Sequence, residues 1–101
     1  MLTRFEWDAA KAVANLRKHG VSFEMAMRVF ADPFALTGPE RVQDGEQRWQ
    51  TLGAVDGYLL LLVAHTVSEI NKDDQVIDII RIVSARAADK KERRRYEQEI
   101  R

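Results

Sequence analysis

No cysteine occurs in the sequence. Its absence excludes a disulfide framework, a thiolate metal site and a cysteine nucleophile, and it suits a reducing, cytoplasmic setting. Histidine is nearly as scarce. Only His19 and His65 are present, which leaves two candidates for acid–base work of the imidazole type. Long apolar runs are missing: the longest, Tyr58 to Ala64, is far too short to span a bilayer. The opening MLTRFEWDAAK mixes charges into its first turns, unlike a signal peptide. No spacing resembles a metal site or a glycine loop that cradles phosphate, so neither metal nor cofactor is expected. Net charge is also lacking, at +0, which argues against strong indiscriminate binding to polyanions.

What remains is 101 residues, 46% hydrophobic, enough for one domain over 1–101 with a modest core that a partner would extend. The charge is unevenly spread. Residues 1–20 carry four basic and two acidic groups and residues 86–101 carry seven and four, while 21–85 carry five and ten. Basic ends flank an acidic centre, the distribution of a chain whose local positive face meets a polyanion or an acidic partner segment.

The pattern predicts a helix from Asp8, its N-cap, to His19, stopped by Gly20, with Ala9, Ala12, Val13 and Leu16 as its buried stripe. A second helix is expected over 23–31, capped by Ser22 and ended by Asp32-Pro33. Asp44-Gly45 and Asp56-Gly57 then signal hairpin turns. Strands at about 35–43, 47–55, 58–69 and 75–85 would form a four-stranded antiparallel meander. The last two strands are apolar on both faces, which calls for cover on both sides and favours a complex over a lone monomer. A last helix should start near Asp89, where Asp89-Lys90-Lys91-Glu92 forms a capping-box variant, with Tyr96 and Ile100 as its thin apolar face. The expected class is α+β: two N-terminal helices, the meander, and a C-terminal helix.

Several segments at these joints resemble the BrnT family. They are Phe5-x-Trp7-Asp8 with Lys11 and Asn15, Lys18 to Phe23, Val29-Phe30-x-Asp32-Pro33, Arg48 before Gly53, Ile80 to Ala88, and Glu92-Arg93-Arg94-x-Tyr96-Glu97. The resemblance implies a RelE-like fold and a ribonuclease toxin of a type II toxin–antitoxin pair. Such a toxin cleaves RNA and arrests translation. It is neutralised by a BrnA-like antitoxin with a ribbon-helix-helix part, through which the complex reaches promoter DNA. Met25 departs from the family's second glutamate after Ser22-Phe23-Glu24 and costs the second helix only a side-chain contact. A non-catalytic module that binds an antitoxin in promoter autoregulation is the alternative reading.

Metal-independent RNA cleavage needs a base for the 2′-hydroxyl, an acid for the leaving 5′-oxygen and cations on the phosphate. Arg81 interrupts the apolar VIDIIRIVS and must find an anion, either an internal carboxylate such as Asp8 or Glu6 or a scissile phosphate. Arg86 lies five residues on, so a regular strand would turn it to the opposite face; a shared site requires the strand to end or bulge near Ser84-Ala85. His19 is either an acid–base group at the end of the first helix or a cap for its last carbonyls. Tyr96 is either a stacking or proton-donating ring or an anchor of its helix. The expected catalytic set is therefore His19, Arg81, Arg86 and Tyr96, with Lys18, Lys90, Lys91 and Arg93 on RNA phosphates. Arg94 and Arg95 read as a solvated face, Ser84 as a strand-end group, and His65 and Trp7 as structural.

Overall fold

The computed structural model describes residues 2–99; Ile100 lies outside that range. In chain order the elements are β1 (Leu2–Glu6), α1 (Ala9–His19), α2 (Phe23–Met27), a 3₁₀ turn (Arg28–Ala31), β2 (Leu36–Gln43), β3 (Glu46–Val55), β4 (Leu59–Lys72), β5 (Gln75–Ala87) and α3 (Lys90–Glu99). The helix caps follow the sequence. The Asp8 side chain accepts from the Lys11 N–H, Ser22 accepts from Met25, and Gly20 closes α1 at φ 70° with its N–H on Leu16 O. Asp89 and Glu92 form a reciprocal box at 2.8 and 2.9 Å. Asp44-Gly45 and Asp56-Gly57 both take positive φ at both positions. The first pair is a two-residue hairpin turn between Gln43 and Glu46, and the second, with Tyr58, makes the three-residue connection between Val55 and Leu59.

The sheet corrects the expected fold. It has five strands in the order β1-β5-β4-β3-β2, and β1 runs parallel to β5, with Leu2 opposite Ile77 and Glu6 opposite Arg81. The molecule is thus α+β with a mixed five-stranded sheet and three helices, not two helices before a four-stranded antiparallel meander. Antiparallel neighbours announce themselves through a short turn, whereas a parallel strand is brought in by a crossover and leaves no local signal. β1 is also only five residues long, two of them charged.

The two sheet faces are covered differently. On the first, Val21, Phe23, Ala26 and Val29 pack against Val55, Leu61, Val63, Ile82 and Ala85, with Phe5 and Trp7 at the margin. Phe23 is fully buried, with Trp7 edge-on at 6.0 Å, and its removal from water supplies about 1.5–3 kcal/mol. On the second face, α3 rests through Tyr96 on Leu52, Leu60 and Leu62. Between β3 and the 3₁₀ turn the backbones approach closely. A Cβ on Gly53 would stand 2.7 Å from Val29 Cγ1 and 3.1 Å from its carbonyl oxygen.

Helix α1 is rolled relative to its expected stripe. Val13 and Leu16 are half exposed, while Asn15 is buried. The cause lies in β5, whose pairing with β1 ends at Arg81. Beyond that point the Asn15 carboxamide takes the place of the missing strand: Nδ2 donates to Ala85 O at 2.8 Å and Val21 O at 3.0 Å, and Oδ1 accepts from Ala85 N at 3.1 Å. Buried backbone groups need partners, and here that demand outweighs burial of two aliphatic side chains. Among the described residues no helix is long and apolar enough to cross a membrane.

Candidate active site

The site is set by an irregularity in β5. Ala64 faces Ser84 and His65 faces Ile82, so Val83 is an extra residue opposite β4. This bulge resets the two-residue alternation of the strand. Residues directly opposite share a face. Arg81 (opposite Thr66), Ser84 (opposite Ala64) and Arg86 (opposite Leu62) therefore all project from the second face, while Ile82 and Ala85 both enter the first-face core. The odd spacing of the two arginines is thereby resolved one residue before the Ser84-Ala85 position expected for it.

From β3, the alternation of Glu46, Arg48, Gln50 and Leu52 brings polar side chains to the same face, beyond the part α3 covers. Here Arg81, Arg48, Glu46, Asp44 and Gln43 join Asp8 and Lys11 of the α1 N-terminus around a polar depression of about 330 Å³. Arg81 Nη2 donates to Glu46 Oε1 at 2.9 Å, and both side chains are about half exposed (48% and 49%). Such a solvated pair is worth at most ~1 kcal/mol. Arg81 is therefore held in place but can exchange its carboxylate for a phosphate at little cost.

Arg86 is engaged more firmly. Its guanidinium meets both Glu92 oxygens, at 2.8 and 2.9 Å, and donates to Ala87 O at 3.2 Å. This fork ties the end of β5 to the first turn of α3. The Glu92 bond raises the Arg86 pKa against the opposing effect of burial, and the same bond lowers the Glu92 carboxyl despite its burial. Tyr96 is the buried anchor of α3. Its hydroxyl donates to Asp32 Oδ2 at 2.5 Å, while the Ala54 and Phe34 N–H groups donate to the same carboxylate at 2.8 and 2.9 Å. Burial pushes the Asp32 carboxyl up, but these bonds together hold it below its ordinary value. Burial first, then Asp32, push the Tyr96 phenol up to about 12.

The remaining sequence candidates lie elsewhere. His19 and Lys18 are exposed in the last turn of α1, eight residues from Lys11 for His19, or about 12 Å along the axis, and neither lines the Arg81 depression. The structure brings Arg81 together with the head of that helix, not its tail. Lys90, Lys91 and Arg93 are exposed on α3. His65 is buried on the first face, edge-on to Phe30 at 5.0 Å, with Nε2 bonded to Thr51 Oγ1 at 2.7 Å. Burial lowers its pKa, against the Thr66 carbonyl contact. Arg48, Lys11 and Glu46 were absent from the site expected from sequence. The Glu46-x-Arg48-x-Gln50 alternation signals a shared face, but which strand lies across from it is a matter of register. Among the described residues no group of three or more His, Asp or Glu side chains is placed to hold a metal.

Comparison with known proteins agrees with this architecture. A family model described as the ribonuclease toxin BrnT of type II toxin–antitoxin systems matches residues 7–92. The fold is similar to the crystal structure of the Brucella abortus ribonuclease toxin BrnT. That match has a TM-score of 0.61 and 18% identity, and covers 89% of this chain and 100% of the other. No curated protein sequence matches the chain.

Proposed function

The chain belongs to the BrnT family of ribonuclease toxins of type II toxin–antitoxin systems, and on that footing we propose that it cuts RNA in the Arg81 depression without a metal. The observation that carries this reading is the Val83 bulge, which turns Arg81 and Arg86 onto one sheet face beside Arg48. The RNA phosphate displaces Glu46 from Arg81, whose planar fork suits two phosphate oxygens. Arg48 and Lys11 flank it and offset the negative charge that builds as the ribose 2′-hydroxyl attacks phosphorus. Arg86 adds positive field from the same face while fixing α3, and Tyr96 holds that helix against Asp32. Lys90, Lys91 and Arg93 extend the contact along the RNA backbone. His19 and Lys18, at the far end of α1, can meet only RNA that continues well past the cleaved bond.

In the cell such cleavage arrests translation in the cytoplasm. Family membership implies an antitoxin partner; we take it to be BrnA-like, with a ribbon-helix-helix part that carries the hetero-oligomer to DNA. The test is purified protein with RNA in EDTA, with and without ribosomes. Cleavage that disappears in an Arg81→Ala variant of unchanged circular dichroism supports the reading. Intact RNA under every condition overturns it in favour of a non-catalytic module that binds the antitoxin.

A further inference from the structure

We infer that Glu46 is the general base that takes the proton of the attacking 2′-hydroxyl. This rests on the reading of the Arg81 depression as the cleavage site. With His65 sealed in the core and His19 at the wrong end of α1, no imidazole lines the depression, so a carboxylate is the basic group at hand. Three carboxylates line it. Asp8 spends Oδ1 on capping α1, and Asp44 sits in the hairpin turn at φ 53°. Glu46 alone of the three touches Arg81, at 2.9 Å. A base and a phosphate ligand for this reaction must be neighbours, because the 2′-oxygen has to come within about 3–3.5 Å of the phosphorus it attacks. When phosphate takes over Arg81, the Glu46 carboxylate is released beside the sugar that carries that phosphate.

The step balances within the depression. The 2′-hydroxyl proton passes to Glu46 as the 2′-oxygen bonds to phosphorus. The bond from phosphorus to the 5′-oxygen breaks, its electron pair leaves with that oxygen, and the Lys11 ammonium supplies the proton the leaving oxygen needs. Glu46 then loses its proton to water and Lys11 regains one. The products are a 2′,3′-cyclic phosphate end and a 5′-hydroxyl end.

The test uses the full chain and an end-labelled, mixed-sequence single-stranded RNA, with ribosomes added where wild-type cleavage requires them. Binding is measured on the same sequence blocked by 2′-O-methyl groups. Glu46→Gln should lower kcat by about 10²–10⁴-fold and abolish the acid limb of the pH–rate profile. It should bind blocked RNA at least as tightly as wild type, because a negative charge has left the phosphate site. Glu46→Asp should retain part of the rate and the acid limb. If Arg81→Ala is inactive while Glu46→Gln keeps the wild-type rate and acid limb, the assignment of Glu46 falls and the site stands. If Arg81→Ala cleaves like wild type, the site falls and takes this inference with it.

Discussion

Asn15 gives the sharpest test of how α1 is seated. Its carboxamide makes three bonds to buried backbone, two of them to Ala85 on the stretch of β5 that has no neighbouring strand. Asn15→Ala removes all three and leaves the Ala85 N–H and C=O and the Val21 C=O without partners. At about 1 kcal/mol for each lost bond, before any further penalty for the orphaned groups, the cost is about 3 kcal/mol. That is a large part of the ~5–15 kcal/mol by which a domain is stable. With a urea slope of about 1–3 kcal/mol per M, the midpoint should drop by about 1–3 M in a denaturation followed by Trp7 and Trp49 fluorescence. The Ala85 amide should exchange faster with solvent. Leu16→Ala is the control: its side chain is half exposed, so truncation should cost less than about 1 kcal/mol. The opposite ranking, with Leu16→Ala costing the ~2–5 kcal/mol of a core leucine and Asn15→Ala nearly nothing, would return α1 to the orientation its apolar residues suggest and refute the reasoning.

Other expectations follow from the same structure. Gly53→Ala forces a methyl against the Val29 side chain and backbone and should destabilise by about 1–3 kcal/mol in the same denaturation; an unchanged midpoint would mean the 3₁₀ turn moves freely. Because the folded pKa of His65 is depressed, its contribution is complete above the unfolded value near 6.5 and is lost as pH falls below it. Stability should therefore decline from pH 7.5 to 5.5, and that slope should flatten in His65→Asn. Asp32 is likewise depressed, so its contribution holds above its ordinary value and disappears as pH falls from about 4 towards the lower folded value. Tyr96→Phe, which removes one of the bonds holding Asp32 down, should shift that loss to higher pH. In RNA binding, Arg48→Ala and Lys11→Ala should each reduce the slope of log K against log salt by about 0.7. Equal slopes in wild type and variants would place the phosphates elsewhere.

Much of the local structure was legible in the chain. Asp8, Ser22, Gly20 and the Asp89–Glu92 box cap their helices as written, and both Asp-Gly pairs turn hairpins, because caps and turns are decided by side chains within a few residues of the backbone they serve. The second helix was legible except that its end tightens into the Arg28–Ala31 turn before Pro33. Arg81 was also legible as the charge that interrupts the apolar strand, and it does pair with a carboxylate. The expected burial was not met, because its side chain is about half exposed, so the pair is a mild preference and not an obligation. The identity of that carboxylate was not legible. Glu46 stands 35 positions away, and no neighbouring residue points to it.

By itself, then, the sequence determined where the chain turns, which segments are helix or strand along most of its length, and that basic groups gather near its ends. Tertiary structure alone decided the rest. It recruited Leu2–Glu6 as a parallel strand, rolled α1 so that Asn15 meets Ala85, and made Val83 the bulge that turns Arg81 and Arg86 to one side. Caps and turns act over three or four residues and here persist in the packed fold. Register, strand order and face are settled by which distant backbone groups still lack partners once the core has closed.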